Sequence, residues 1–366
     1  MPRNGRKIYG KSLEDHDMNR ISGLVGQTGR RLRAAAGCAM GVLLLSLYVP
    51  VAAQTQPAPP AAGQRPDLTV DALSVVKVRT KVVANARTMR SLGNQREGTG
   101  VVIDSEGLVL TIGYLILEAE TVELSTADGR AFPATVIGYD HATGFGLLKA
   151  LRPLPIKPVQ LGASGKISER ELVLIVGYDG VAPAYVVSRR PFVGYWEYLL
   201  DEAIYTAPAT VNWSGAALLN REGKLLGIGS LVVGDALGTQ TQVPGNMFVP
   251  IDLLKPMLGD LIASGKSAAR PRPWIGINSQ EIQGKLIVTR VSSEGPAEDA
   301  GIKIGDVIVG IAGRSIKGQA DFYTKLWAAG AAGDEIVLDV LQDTQVKKVS
   351  VKSIDRERYL RQRTSY

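Results

Sequence analysis

The chain has 366 residues, 45% hydrophobic and 21% charged, which suits globular domains with real cores and suggests two or three units. Its formal charge of +7 hints at a nucleic-acid partner only until the charge is located. Residues 1–53 hold 8 Lys and Arg against 3 Asp and Glu, leaving 34 against 32 elsewhere, so the excess is in the leader and nucleic-acid binding loses its support.

In that leader, Arg30, Arg31 and Arg33 precede an apolar run from Ala34 to about Val49, then Pro50 and the small end Val51-Ala52-Ala53. The order predicts a signal peptide over residues 1–53, cleaved after about Ala53. The alternative is an uncleaved membrane anchor, since the run nearly reaches the ~20 residues that span a bilayer. Either way the rest of the protein is expected outside the cytoplasm, periplasmic or secreted. Cys38 lies inside the apolar run and is the chain's one cysteine. A cleaved chain therefore has no disulfide and no thiolate metal site, and no cofactor or metal is expected.

Residues 54–67 are rich in Pro, Ala and Gln and read as a disordered linker. From 68 to 262, short β-branched runs alternate with Gly-containing turns: GTGVVI, LVLTI, VELST, ATVIGYD, ELVLIVG and KLLGIGSLVV. That pattern predicts an all-β sandwich or barrel. Ile251 to Ile262 carries apolar residues at helical spacing, a closing helix with Pro256 in its first turns. Residues 263–272 form a polar linker. A smaller α+β unit at 273–353 has strands around WIGI, KLIVTRV, GDVIVGI and EIVLDVL, a short helix after Gly295-Pro296 and another over about 319–329. Residues 354–366 read as a charged, frayed tail.

The run Val211–Asn220, VNWSGAALLN, resembles the nucleophile turn of chymotrypsin-fold serine proteases, with Ser214 at the nucleophile. GTGVVIDSEGLVLT, DGRAFPATVIGYDHATGFGLLK, VQLGASGKISERELVLIVGYDG, NMFVPIDLLKPML and SEGPAEDAGIKIGDVIVGIAGRSI resemble, in order and spacing, successive blocks of the HtrA/Deg family. The resemblance covers nearly everything after the leader. It implies a mainly β chymotrypsin-like double β-barrel over 68–262, followed by one PDZ domain over 273–353.

The same resemblance shows departures at the chemistry. The family's T-[NA]-x-H-V-[VI] reads Thr111-Ile112-Gly113-Tyr114-Leu115-Ile116, which puts Tyr114 at the position of the catalytic His. Its T-D-L-A reads Thr143-Gly144-Phe145-Gly146, which puts Gly144 at the position of the orienting Asp. Asn212 replaces the Gly whose N–H completes the oxyanion hole, and it accepts that backbone geometry only as a tolerated exception. A serine hydroxyl is a poor nucleophile without a neighbour that takes its proton, and a phenol of pKa near ~10 is a poor acceptor at neutral pH. His141, the one histidine after the leader, reads as an exposed turn residue. A Ser–Lys dyad is conceivable, but no lysine lies near Ser214 in sequence. The sequon Asn212-Trp213-Ser214 reads as coincidence, and Gly98-Thr99-Gly100 as a tight turn into a strand rather than a phosphate cradle.

Trp274-Ile275-Gly276-Ile277 resembles the PDZ carboxylate-binding loop, in which successive N–H groups hold a peptide's terminal carboxylate while the peptide adds a strand to the sheet. The plainer alternative is an ordinary core strand. Two function classes follow. One is an envelope pseudoprotease that binds polypeptide C-termini or unfolded proteins as adaptor or regulator. The other is an active serine endopeptidase using Ser214 with a non-standard base. A scaffold subunit beside an active HtrA/Deg homologue, or a homo-oligomer such as the trimers usual in the family, is a further expectation from the resemblance.

Overall fold

A computed structural model describes residues 73–361; the leader, the 54–67 linker and the last five residues lie outside the described residues. The described residues belong to one compact unit. Strands β1 (Val75–Val82), β2 (Gln95–Val102), β3 (Leu108–Ile112), β4 (Ala119–Ser125), β5 (Ala131–Tyr139) and β6 (Phe145–Ala150) close a first barrel in the order β1-β2-β3-β6-β5-β4. Strands β7 (Leu172–Gly177), β8 (Gly180–Gly194), β9 (Tyr198–Ala207), β10 (Ala217–Leu219), β11 (Leu225–Val233) and β12 (Gly245–Pro250) close a second, ordered β10-β11-β12-β9-β8-β7. In β1, Val76, Val78, Thr80 and Val82 face in while Arg79 and Lys81 face out, the period-2 alternation of a strand with one wet face. One apolar cluster, including Leu110, Leu124, Phe145, Val176, Tyr205 and Val249, runs through both barrels.

A C-terminal sheet follows: β13 (Ile277–Ile282), β14 (Lys285–Val291), β15 (Val307–Ile311), β16 (Arg314–Ser315), β17 (Glu335–Gln342) and β18 (Gln345–Lys352). Its main path is β13-β14-β15-β17-β18, which leaves β13 at an edge. Of the helices α1 (Met89–Leu92), α2 (Leu258–Ser264), α3 (Pro296–Asp299), α4 (Gln319–Ala328) and α5 (Arg356–Tyr359), α4 packs Phe322, Tyr323 and Leu326 onto this sheet's core. The mainly β double barrel followed by an α+β unit is thus the fold expected from the sequence.

Three local expectations are corrected, and one element was not foreseen. The closing helix is split into a 3-10 turn at Ile251–Leu253 and α2 at Leu258–Ser264. Pro256 has no N–H to give to the carbonyl of Asp252, so one continuous helix would break there. WIGI is not a strand: Trp274 makes a single bridge to Ile354, and β13 starts only at Ile277. The tail to Arg361 is not frayed: Asp355 caps α5 through the Glu357 N–H, and Tyr359 packs on Trp274 with ring centres 4.6 Å apart. Finally, the 15-residue β8 and 10-residue β9 form a long hairpin that the strand pattern did not reveal.

Candidate functional site

Ser214 sits in a turn fixed mainly through its backbone. Its carbonyl accepts the Thr99 N–H at 2.8 Å, and the Gly215 N–H donates to the Gly229 carbonyl at 2.9 Å. Gly215 holds φ 73°, and a Cβ there would lie 2.1 Å from the Thr99 carbonyl oxygen, so only glycine fits. Gly98-Thr99-Gly100 is therefore the strand segment that seats the nucleophile turn.

Tyr114, in the 3-10 turn Gly113–Leu115, reaches the same point. Its hydroxyl oxygen lies 2.8 Å from Ser214 Oγ and 3.0 Å from the Ser230 carbonyl oxygen. The phenol has one proton and the carbonyl only accepts. Both contacts are satisfied when Ser214 donates to Tyr114 and Tyr114 donates to Ser230. Burial pushes the phenol well above its usual pKa, with the Ser214 contact pulling weakly the other way. The turn is fastened by Arg96, whose guanidinium donates to the carbonyls of Tyr114 and Leu117, each at 2.8 Å, and to Thr88 Oγ1 at 2.6 Å. Burial lowers the Arg96 pKa to about 10, offset in part by Glu118.

Gly144 has φ 82° and receives no side-chain partner role; its carbonyl accepts the Gly113 N–H at 2.7 Å. A Cβ at Gly144 would meet the Tyr198 hydroxyl at 3.5 Å, so the loop has space but the wrong backbone for an ordinary side chain. Asn212 keeps a negative φ, and its N–H donates to Thr210 Oγ1 at 3.5 Å. His141 corrects a residue-level expectation: it is half-buried, its ring stands at 86° to that of Tyr139 with centroids 4.4 Å apart, and its Nδ1 is buried without a partner. Burial, with Arg356 and Lys266 nearby, holds its pKa well below 6.5. A cavity of about 320 Å³ beside the turn is lined by Tyr114, Trp213, Tyr195, Trp196, Gly144 and Ser230 among others. Its cations are Arg87, Arg290 and Arg356, with no lysine in its lining. Arginine is not a proton acceptor in proteins. Among the described residues, no group of three or more His, Cys, Asp or Glu is placed to hold a metal ion.

The second predicted site is filled from within the chain. The N–H groups of Ile275, Gly276 and Ile277 donate to the Glu197 carboxylate at 3.1, 2.7 and 3.0 Å. Gly276 holds φ 85°, which turns its N–H inward between its neighbours. Burial pushes the Glu197 carboxyl up to about 7, against the pull of these three donors and of Arg356. Sequence reasoning missed Glu197, Tyr195 and Tyr323. The one local signal was an acidic residue between two aromatics in GYWEY, which by itself identifies nothing.

With this geometry in place, known proteins give it a context. The trypsin-like peptidase domain family matches residues 98–228, and the PDZ domain family matches residues 273–353. A probable periplasmic serine endoprotease DegP-like from Ectopseudomonas mendocina is 28% identical over 284 residues, 71% of this chain and 57% of its own length. The serine protease PepD of Mycobacterium tuberculosis is 29% identical over 315 residues, 79% of this chain and 66% of its own. The chain thus spans about three fifths of the length of these relatives. A solved HtrA-type protease AlgW with decapeptide aligns at 21% identity and TM-score 0.47, covering 80% of this chain and 97% of that one.

Proposed function

From a chain of the HtrA/Deg type, a trypsin-like peptidase domain followed by a PDZ domain, we propose a pseudoprotease of the cell envelope. It captures exposed polypeptide C-termini or unfolded segments through its PDZ domain and acts as adaptor or regulator in protein quality control. The envelope placement rests on the leader's composition and on relatives named periplasmic.

The observation that carries the loss of proteolysis is the hydroxyl chain from Ser214 through Tyr114 to the Ser230 carbonyl. Acyl transfer needs a base that accepts the serine proton as attack begins. Tyr114 already holds its own proton against Ser230, so accepting a second would make an oxonium, and burial disfavours its phenolate. Gly144 offers no carboxylate to steady an imidazole, and the Asn212 N–H points to Thr210. Losing one oxyanion donor alone costs on the order of 10²–10³ in rate. Capture is supported by the loop at Ile275–Ile277, whose three N–H groups converge on a carboxylate.

A second reading, an active endopeptidase with a non-standard base, draws support from the intact Ser214-Gly215 turn and from relatives named as proteases. Fluorophosphonate labelling of the purified chain from residue 54, beside Ser214→Ala, separates the two when run with an unfolded-protein digestion assay. We expect neither labelling nor digestion from a preparation that melts cooperatively. Labelling and digestion that vanish in Ser214→Ala would overturn the pseudoprotease reading.

A further inference from the structure

The β8–β9 hairpin ends in Gly194-Tyr195-Trp196-Glu197-Tyr198, with Gly194 paired to Tyr198 and Glu197 at φ 57°. The last position of such a three-residue loop favours glycine, because a left-handed φ costs an ordinary side chain roughly 1–2 kcal/mol. Glu197 carries that cost, and its side chain is held in place. The holder is the carboxylate loop of the C-terminal domain.

The hairpin and its tip make four kinds of contact with that domain. The Glu197 carboxylate takes the three N–H groups of Ile275, Gly276 and Ile277. The Ser279 N–H, on the open edge of β13, donates to the Tyr195 carbonyl at 2.9 Å, as it would to an added strand. Across the groove, α4 grips the other side: the Tyr323 hydroxyl donates to the Gly194 carbonyl at 2.9 Å and receives the Glu197 N–H at 3.1 Å. Val193 and Leu199, flanking the tip, pack against the apolar core of the C-terminal domain. A carboxylate held by backbone donors, an edge strand extended, and an apolar anchor are together the requirements for binding a peptide C-terminus.

We propose that the hairpin tip is an internal ligand of the PDZ groove, Glu197 standing for a terminal carboxylate, and that the external partner is a polypeptide with a free C-terminus that displaces it. This rests on the peptide-capture reading above and adds its regulation: the resting groove is closed, and capture is a competition. The closed contact has a built-in weakness, since burial raises the Glu197 carboxyl and its backbone sits in the left-handed region. Displacement also reaches the barrels. Trp196 stacks on Tyr198 at 5.5 Å and 16°, and the Tyr198 hydroxyl donates to the Thr143 carbonyl beside Gly144. Trp196 is a wall of the cavity next to Ser214, so the hairpin tip touches both the groove and that cavity.

The test uses the purified chain from residue 54 as wild type, Glu197→Gly and Glu197→Gln. Glycine suits the turn's backbone, so the first variant removes the carboxylate without stressing the hairpin; glutamine keeps the length and removes the charge. Fluorescent decapeptides with randomised last residues are titrated by anisotropy, each as free acid and as C-terminal amide, and hydrogen exchange is followed at the Ile275–Ile277 amides. We expect Glu197→Gly to bind free-acid peptides at least tenfold tighter than wild type, Glu197→Gln to fall between, and amidated peptides not to compete. The three amides should exchange faster in Glu197→Gly. Equal affinities in all three proteins with unchanged exchange would overturn the internal ligand while leaving peptide capture standing. Faster exchange in Glu197→Gly with no peptide bound by any form would overturn the capture reading itself, and with it the displacement.

Discussion

At the scale of single residues, the sequence reads Tyr114 where the family it resembles has histidine, but it does not read what that tyrosine touches. Tyr114 is long enough to keep a contact with Ser214 and then uses its one proton on Ser230, so its hydroxyl is fully engaged at the wall of the cavity. His141 makes the opposite point: it reads as an exposed turn residue and does lie in a turn, yet its ring is packed against Tyr139 and its Nδ1 is buried without a partner. Its lowered pKa fixes a direction of pH dependence. In the unfolded chain it takes a proton below about 6.5, whereas the folded ring stays neutral to lower pH. Stability is therefore fully present above about pH 6.5 and is lost as pH falls through the folded value, with a slope of up to ~1.4 kcal/mol per pH unit. His141→Phe keeps the ring and removes the proton, so denaturant midpoints measured from pH 7.5 to 5 should fall less steeply than in wild type. Parallel slopes would show that the imidazole is not buried as described.

At the scale of elements, the strands were legible because one-sided burial writes alternation into the sequence, as in β1, and because Gly-containing turns separate the runs. The β8–β9 hairpin was not: burial alternates over residues 181–188, but Val181 and Tyr185 lie on the exposed face and Ala184 and Ser188 on the buried one, so hydrophobicity does not follow the alternation. The position of a site was legible where backbone geometry demands a residue type, as at Gly215, and illegible where distant chain supplies the partner, as Glu197 does for Ile275–Ile277. The turn that carries Tyr114 shows the same dependence. Arg96 on β2 holds two of its carbonyls from 18 and 21 residues away. Arg96→Met leaves those buried acceptors without donors, and we expect a loss on the order of 3 kcal/mol, since each orphaned group costs about 1–3 kcal/mol. Arg96→Lys should recover little of it, because one ammonium does not reproduce the planar fork that spans both carbonyls. A midpoint within error of wild type for the Met variant would remove this anchor from the account.

Across the whole molecule, the barrels and the C-terminal domain are joined by contacts of two kinds, and the tail decides how they share stability. Glu197 and its neighbours make one contact; the segment Ile354–Arg361 makes the other. Ile354 exchanges two backbone hydrogen bonds with Trp274, each 3.0 Å, just before the carboxylate loop. The Tyr359 hydroxyl donates to the Ser293 carbonyl at 2.9 Å, while Arg87 of the first barrel lies 4.3 Å over the Tyr359 ring and pairs with Glu294 at 2.8 Å. The Arg361 N–H returns to Glu118 in the first barrel at 2.8 Å. Tyr359 thus lies between the two domains, tied to both. Domains within one chain move independently unless their interface is extensive and apolar. A chain ending at Ser353 keeps both domain cores but loses this segment, so calorimetry should resolve two unfolding transitions where the full chain gives one, with the C-terminal domain melting first. Exchange at Ile275–Ile277 should quicken in the same truncation, because the Trp274 bridge that positions the loop is gone. A single transition at an unchanged midpoint would mean that the Glu197 hairpin alone couples the domains.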